Sequence, residues 1–465
     1  MGLSSPKSET GVALIDPYWQ WSRPTLLPPL PPLPPGRHAV DVAIIGAGLA
    51  GLSVAFHLLR RHPGRRVLVL EAATIGGGAS ARSTGMLSPG VGQSLPALVR
   101  RLGASAATDL YTQTLAAVRD TSRLIAEEAI DCDLHLGGQL IYARRPSERR
   151  RLAVQARLME KLGLADSVEV LDDRALAARL QLAECALTNT QSPQPAAGPA
   201  ALRFPTAGVL DPLRLLVGLC ERVLARGGAV HEGTRVLDIA DAAPGGAVCL
   251  RVPDGEVLAQ QVVVATAGFA PQLGLLPGRL LPVQLQALVT SPLSDSALAQ
   301  LGWRDRDGVL DARRLFNYFR LTADRRIVFG GGRPRYGWGD TDRSDRDLGG
   351  ALQRLRAEFF TVFPSPLGVQ PVGGWSGTIG YVLDALPIIG RVPGRPRIVQ
   401  AVGWCGHGVA LATACGPWVV DLLDEKTPPA QPWFRGQAPR VPTEIGRRIG
   451  FAATTQVMAL QDRWS

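Results

Sequence analysis

The stretch VDVAIIGAGLAGLSVAFHLLRR, Val40 to Arg61, decides the fold, because it is nearly as apolar as a membrane span yet carries three glycines. A membrane helix needs about 20 apolar residues without breakers, whereas here Asp41 precedes a short β-branched run and Gly46, Gly48 and Gly51 follow it. The pattern reads as strand, tight turn, helix. Val42 to Ile45 form a buried parallel strand and Gly46 makes the turn. Gly48 lets a pyrophosphate approach, and Gly51 lets a helix from about Leu49 to Arg61 pack on the sheet. A second apolar strand, RRVLVLEA, ends on Glu71, about 20 residues beyond the third glycine, where a carboxylate can accept from a ribose hydroxyl. Ala47, Leu49, Ala50 and Ala72 fill out the same turn and strand end. Together they make a dinucleotide site, which at this point fits NAD or FAD.

Composition bounds the rest. A chain of 465 residues with 46% hydrophobic content is too long for one ordinary domain and ample for two cores. No basic stretch followed by an apolar run opens it, since Lys7, Glu9 and Asp16 interrupt its start, and a cytoplasmic protein is expected. Cys132, Cys185, Cys220, Cys249, Cys405 and Cys415 are scattered without a CxxC or a metal-ligand spacing, so they read as reduced, mostly buried thiols and no metal is expected. The formal charge of +10 invites a nucleic-acid reading. Lys7, Lys161 and Lys426 are the only lysines, however, and the arginines are interleaved with Asp and Glu, which describes solvated helix faces rather than a binding stripe. No nucleic-acid partner is expected.

The segment PTLLPPLPPLPPG, Pro24 to Gly36, is an extended polyproline arm. Ahead of it Tyr18, Trp19 and Trp21 are aromatics that a loose tail does not need, so the arm is expected to lie against the body, the alternative being a free ligand for a binding partner. From about Leu98 to Leu162 the chain reads as helical, interrupted by a hairpin-like CDLHLGGQLIYARR. A second βα unit follows: a helix starting at Asp211-Pro212 and ending near Gly227-Gly228, then a strand from Ala229. The strand Val262 to Ala265 ends in Thr266, Ala267 and Gly268, and residues from about Leu281 to Gly332 alternate as an antiparallel sheet does. Last comes RPRIVQAVGWCGHGVALATACGPWVVDLL: strand, glycine turn, helix. The expected organisation is an arm over 1–38, nucleotide segments over 39–97, 201–275 and 371–425, a helical and substrate segment over 98–200, a substrate sheet over 276–370 and an extension over 426–465.

A nucleotide fold closed by a late strand is the habit of flavoproteins rather than of nicotinamide dehydrogenases. With IIGAGLAGLS, EAATIGGGASARSTG, VVVATAG, YVLDALPIIG and AVGWCGHGVA in this order, about Asp41 to Leu423, the chain resembles the FAD-dependent D-amino acid oxidase superfamily, and within it the gamma-glutamylputrescine oxidase-like proteins. The resemblance implies an α/β fold, α+β overall, in which a Rossmann-like FAD domain assembled from separated segments carries an antiparallel-sheet substrate domain. It implies that the GASARSTG loop, Gly78, Ala79, Ser80, Arg82, Ser83, Thr84 and Gly85, passes beside the flavin, with Arg82 a charge partner of the pyrophosphate. Val236, Ala265, Thr266, Ala267, Gly268, Asp384, Gly403, Cys405, Gly406, His407, Gly408 and Val409 join the expected cofactor contacts, the helix from Val409 aiming its positive end at the flavin. Tyr318 and Arg320, on alternate residues of one strand, share a face and are with His407 the candidate catalytic residues.

Three departures from the family refine the expectation. Gly377 stands where sarcosine-oxidase-like members carry a flavin-linking cysteine, so FAD is expected to be non-covalent. Ile379 stands where glycine and D-amino acid oxidases place a carboxylate-clamping arginine, so an amine is expected before an α-amino acid. RIVFGGG lacks the lysine that activates dioxygen in several family oxidases, which leaves dioxygen or another electron acceptor open. The expected activity is oxidation of a C–N bond by hydride transfer to FAD. A D-amino acid or glycine-type enzyme with another arginine, such as Arg320, as clamp, and a flavin-bound scaffold without turnover, are the alternatives.

Overall fold

The computed structural model describes residues 12–22, 28–182, 198–241, 246–303, 305–337, 348–427 and 430–464. Two large sheets organise them. In the first, Ala229–His231, Val67–Leu70, Gly36–Ile45, Gly255–Val264 and Arg395–Val402 lie side by side and all parallel. Ile388–Val392 adds antiparallel at one edge, and Asp238–Asp241 and Val248–Val252 form a ribbon on the outer half of Gly255–Val264. The central strands are continuous apolar runs because both faces are covered; Val67–Leu70 is buried at every position. Helix Leu49–Arg61 packs on this sheet beside Gly408–Ala414 and Gly416–Leu423. Gly416 permits that packing, since a Cβ there would lie 2.4 Å from the His57 ring and 2.5 Å from Ser53 Oγ.

The second sheet has nine strands, ordered Ala13–Leu14, Pro371–Val382, Leu280–Thr290, Ile327–Tyr336, Tyr318–Leu321, Gly308–Asp311, Gln139–Tyr142, Ala201–Phe204 and Glu169–Leu171. Helix Leu348–Val362 covers one face over Leu288, Phe319 and Phe329, and the opposite face turns toward the nucleotide sheet through Ala287, Val328 and Trp375. None of the helices among the described residues is long and apolar enough to cross a membrane.

The helix at Leu49–Arg61 and the Asp211-capped helix Pro212–Ala225 stand where the sequence put them. The first strand begins earlier, at Gly36, inside the segment read as arm, because Gly36 to Ala39 pair with Gly255 to Leu258. Ala201–Phe204 and Pro371–Val382, read as nucleotide segments, belong to the nine-stranded sheet. The hairpin read at 132–145 is a single strand, Gln139–Tyr142, whose neighbours are Gly308–Asp311 and Ala201–Phe204. Alternation identifies a strand but not its partner, and these partners are distant in sequence. The described part of the arm, 28–36, lies against the body: the Leu30 and Leu33 amides donate to Glu232 Oε2 and Thr234 Oγ1, at 2.8 and 2.9 Å; residues 1–11 and 23–27 lie outside the described residues. Of the cysteines, five are free thiols, and Cys185 lies outside the described residues.

Candidate active site

A cleft of about 520 Å3 opens at the carboxyl ends of the parallel strands, beyond Ile45, Leu70 and Ala265. Ligands of doubly wound sheets bind at this end, and the volume falls within the roughly 300–1,000 Å3 of small-molecule sites. Three glycines shape its floor, each by a different constraint. Gly46 has φ +103° and a Cβ there would lie 2.8 Å from the Ala265 carbonyl; a Cβ on Gly51 would lie 1.9 Å from the Gly46 carbonyl oxygen. Gly48 is extended, with φ −78°, and its missing Cβ would meet only Ser80 Oγ, at 3.1 Å. Gly48 therefore answers to room in the cleft, and it is Gly46 that carries the left-handed turn.

The helix start is prepared for an anion. Glu71 accepts from the Ala47 and Ala73 amides, each at 3.0 Å, and the Leu49 amide donates to Ser80 Oγ at 3.1 Å. Leu49 and Ala50, at the start of helix Leu49–Arg61, line the cleft, so the positive end of the helix dipole lies at its wall. Arg82 lies on the wall, but two of its nitrogens are committed: Nε donates to the Gly77 carbonyl at 2.9 Å and Nη1 to the Ser376 carbonyl at 2.8 Å. The second N–H of Nη1 and both N–H groups of Nη2 are left for a ligand. At the far end the cleft is closed by Thr378, Ile379, Gly380, Trp404, Cys405 and Gly406. Cys405 is held at φ +50°, a left-handed conformation rare outside glycine, and its thiol, pushed up to about 12 by burial, donates to the Gly403 carbonyl. Thr266 lies on the wall with a buried Oγ1 that has no partner among the described residues. A long dinucleotide fits this cleft: a glycine cradle that a Cβ would obstruct, an anion-ready helix end, and an orphaned hydroxyl.

Residues 41–422 match the family described as FAD dependent oxidoreductase. The chain belongs to this family. The flavoprotein is 29% identical over 388 residues to gamma-glutamylputrescine oxidoreductase of Escherichia coli, covering 82% of this chain and 83% of that one. It is 28% identical over 436 residues to the oxidoreductase OrdL of Haemophilus influenzae, covering 90% of each. The crystal structure of glycine oxidase from Geobacillus kaustophilus superposes with a TM-score of 0.70 over 87% of this chain and 99% of that one, at 24% identity, and shares its fold. FAD is thus the cofactor, and the flavoprotein is an oxidoreductase with the two-part fold read from the sequence.

Most of the residues expected around FAD line the cleft: Gly46 to Ala50, Glu71, Ala72, Gly78 to Ser80, Arg82, Ser83, Val236, Ala265 to Ala267, Cys405, Gly406, Gly408 and Val409. Others stand behind it. Gly51 is a packing glycine, and Thr84, Gly85, Gly268 and Gly403 support the wall without lining it. Asp384 turns away to a paired contact with Arg435, at 2.5 and 2.8 Å, which holds it ionised and ties the C-terminal extension to the sheet. The sequence reading missed Trp404 and Arg235 in loops, Phe269 in the turn of 3-10 helix Ala267–Leu273 and Thr378 in strand Pro371–Val382, none of which has a spacing signal of its own.

Of the three candidate catalytic residues, none lines the cleft itself. His407 is half-buried beside it; Nδ1 lies 3.3 Å from the Cys405 carbonyl, and burial lowers its pKa, so the ring stays neutral. Register places Tyr318, Gly330, Ala287 and Trp375 in one row across the sheet, on the face that also carries Ile379 four residues further along. Burial pushes the Tyr318 phenol up to about 12, and its hydroxyl has no hydrogen-bond partner among the described residues. Gly330 makes room for that ring, since a Cβ would approach it to 2.3 Å. Arg320 shares the strand but not the role. It is 0% exposed, donates to the Leu210 carbonyl at 2.5 Å, and stacks its guanidinium 5.3 Å from the Trp19 ring.

Proposed function

We propose that this flavoprotein oxidises the C–N bond of a small amine, removing hydride from the carbon beside the nitrogen and leaving an iminium ion, the protonated imine, that water hydrolyses to an aldehyde and ammonia or the remaining amine. FAD, when bound, supplies the acceptor for that hydride. The chain contributes position and environment: the glycine cradle fixes the dinucleotide, and the wall of Ile379, Trp404 and Cys405 excludes water where the substrate meets it. Neutral His407 and protonated Tyr318 offer polar partners without a fixed charge, which suits an amine that must be neutral to give up hydride.

The observation that carries the substrate class is Ile379. A substrate carboxylate in the place the family gives it would face an aliphatic side chain, and leaving it unpaired costs several kcal/mol, about enough to abolish useful binding. The name of the Escherichia coli relative, which specifies gamma-glutamylputrescine, supports an amine. Arg320 is no substitute clamp, because it does not line the cleft, its Nη1 is bound to the Leu210 carbonyl and its guanidinium stacks on Trp19. Ile379→Arg tests the reading. The variant is expected to gain flavin reduction by glycine or D-alanine while losing it with amines; wild-type preference retained in the variant would remove Ile379 as the determinant.

A further inference from the structure

Residues 12–22 lie outside the matched family region 41–422, yet they reach the wall of the FAD cleft. Ala13 and Leu14 add a parallel strand to the edge of the nine-stranded sheet, beside Gly373 and Gly374. The chain then turns through helix Tyr18–Trp21, in which Tyr18 and Trp19 are each 2% exposed. Tyr18 donates to Asp324 Oδ1 at 2.5 Å and fixes the turn; Trp19 Nε1 donates to the Ser83 carbonyl at 2.9 Å. Two further side chains take neighbouring carbonyls of the same loop. Trp375 Nε1 donates to the Arg82 carbonyl at 3.0 Å, and Arg320 Nη1 lies 3.5 Å from the Gly85 carbonyl while stacking on Trp19.

The loop so held is the one that meets the phosphate helix. Ser83 Oγ donates to the Ser80 carbonyl at 3.0 Å, and Ser80 Oγ accepts the Leu49 amide at 3.1 Å. Ser80, Arg82 and Ser83 line the cleft. A continuous run of hydrogen bonds therefore joins Trp19 to the first turn of the helix whose N-terminus faces the dinucleotide.

We propose that the N-terminal segment is a working part of the cofactor site, with Trp19 a positioning residue that sets the 80–85 loop against FAD. Docking of the segment and binding of FAD are then linked, and linkage is reciprocal: whatever the docked segment adds to FAD affinity, FAD adds to docking of the segment. A part-buried carbonyl deprived of its donor relaxes toward another partner, and the loop that moves is the cleft wall.

The test uses the full chain. Apo protein of wild type, Trp19→Phe and Trp19→Ala is titrated with FAD by flavin fluorescence, and thermal unfolding of each apo protein is recorded alongside. Trp19→Phe keeps the aromatic face over Arg320 and removes only the N–H donor. It is expected to weaken FAD binding by about fivefold, the lower end of ordinary coupling, alongside the loss of apo stability that a carbonyl deprived of its donor brings; Trp19→Ala weakens binding further. In wild type, hydrogen exchange of the amides in 12–22 should slow on adding FAD. FAD affinity within twofold of wild type in Trp19→Phe, or exchange in 12–22 indifferent to FAD, overturns the proposal. Should Trp19→Ala fail to fold, those two measurements still decide it. A fall in apo stability with FAD affinity unchanged also overturns it, since that is what a merely structural tryptophan produces.

Discussion

Gly48 and Gly51 stand three residues apart in one motif, and the structure assigns them separable jobs that a pair of substitutions distinguishes. A Cβ on Gly51 would lie 1.9 Å from the Gly46 carbonyl oxygen. Ordinary carbon–oxygen contact is about 3.3 Å, so the backbone must open by about 1.4 Å. Helix Leu49–Arg61 has ten buried residues and cannot move so far cheaply. Gly51→Ala is therefore an overpacking change and is expected to destabilise the apo protein by about 1–3 kcal/mol. At Gly48 the backbone is extended and the nearest atom is the end of the Ser80 side chain, at 3.1 Å. Gly48→Val leaves the apo fold nearly intact but fills the space of the pyrophosphate. Losing one charge-assisted contact there, about 1.5–3 kcal/mol, weakens FAD binding roughly ten- to 150-fold. Urea unfolding of the apo proteins and fluorescence titration with FAD read the two effects independently. Wild-type FAD affinity in Gly48→Val would refute the assignment of Gly48 to the cofactor, and an unperturbed apo stability in Gly51→Ala would refute the packing argument.

Three further outcomes are expected. Arg320→Met strips the Leu210 carbonyl of its donor and should lower stability by about 1–3 kcal/mol while leaving the KM of an amine substrate unchanged; a raised KM at wild-type stability would return Arg320 to the substrate site. Burial, with Arg60 and Arg61 close by, pushes His57 down to about 3, so below about pH 6.5 the unfolded chain takes up a proton that the native chain refuses. Stability then falls as the pH drops through that window, by up to ~1.4 kcal/mol per unit, and urea unfolding of His57→Leu should show a shallower fall; an equal slope in the two proteins contradicts this. FAD should appear in the supernatant after acid precipitation, because Gly377 carries no side chain and a Cβ there would already lie 2.9 Å from Arg82 Cβ; flavin remaining on the polypeptide would contradict it.

The cofactor half of the site was legible because its signals are local. A tight turn, a close helix approach and a strand end each demand particular residues within a few positions, so Gly46 to Gly51, Glu71 and the capped helix at Asp211 declare themselves. The substrate half is set by partners far apart in sequence. Tyr318 and Arg320 do share a strand face, but whether that face meets substrate or packing depends on Trp19, some 300 residues away. Asp384 reads as a cofactor contact until Arg435, in a segment without any motif, is seen to take it. Trp19 itself was visible only as an aromatic that a loose tail does not need.

Anaerobic flavin reduction separates an amine from an α-amino acid as the substrate. Mixing the holoenzyme at matched concentrations with glycine, D-alanine, sarcosine, putrescine and gamma-glutamylputrescine, and following the loss of flavin absorbance, removes the electron acceptor from the question. The amines, including the polyamine derivative whose carboxylate lies far from the reacting nitrogen, should bleach the flavin fastest. Glycine or D-alanine as the fastest reductant would contradict the account.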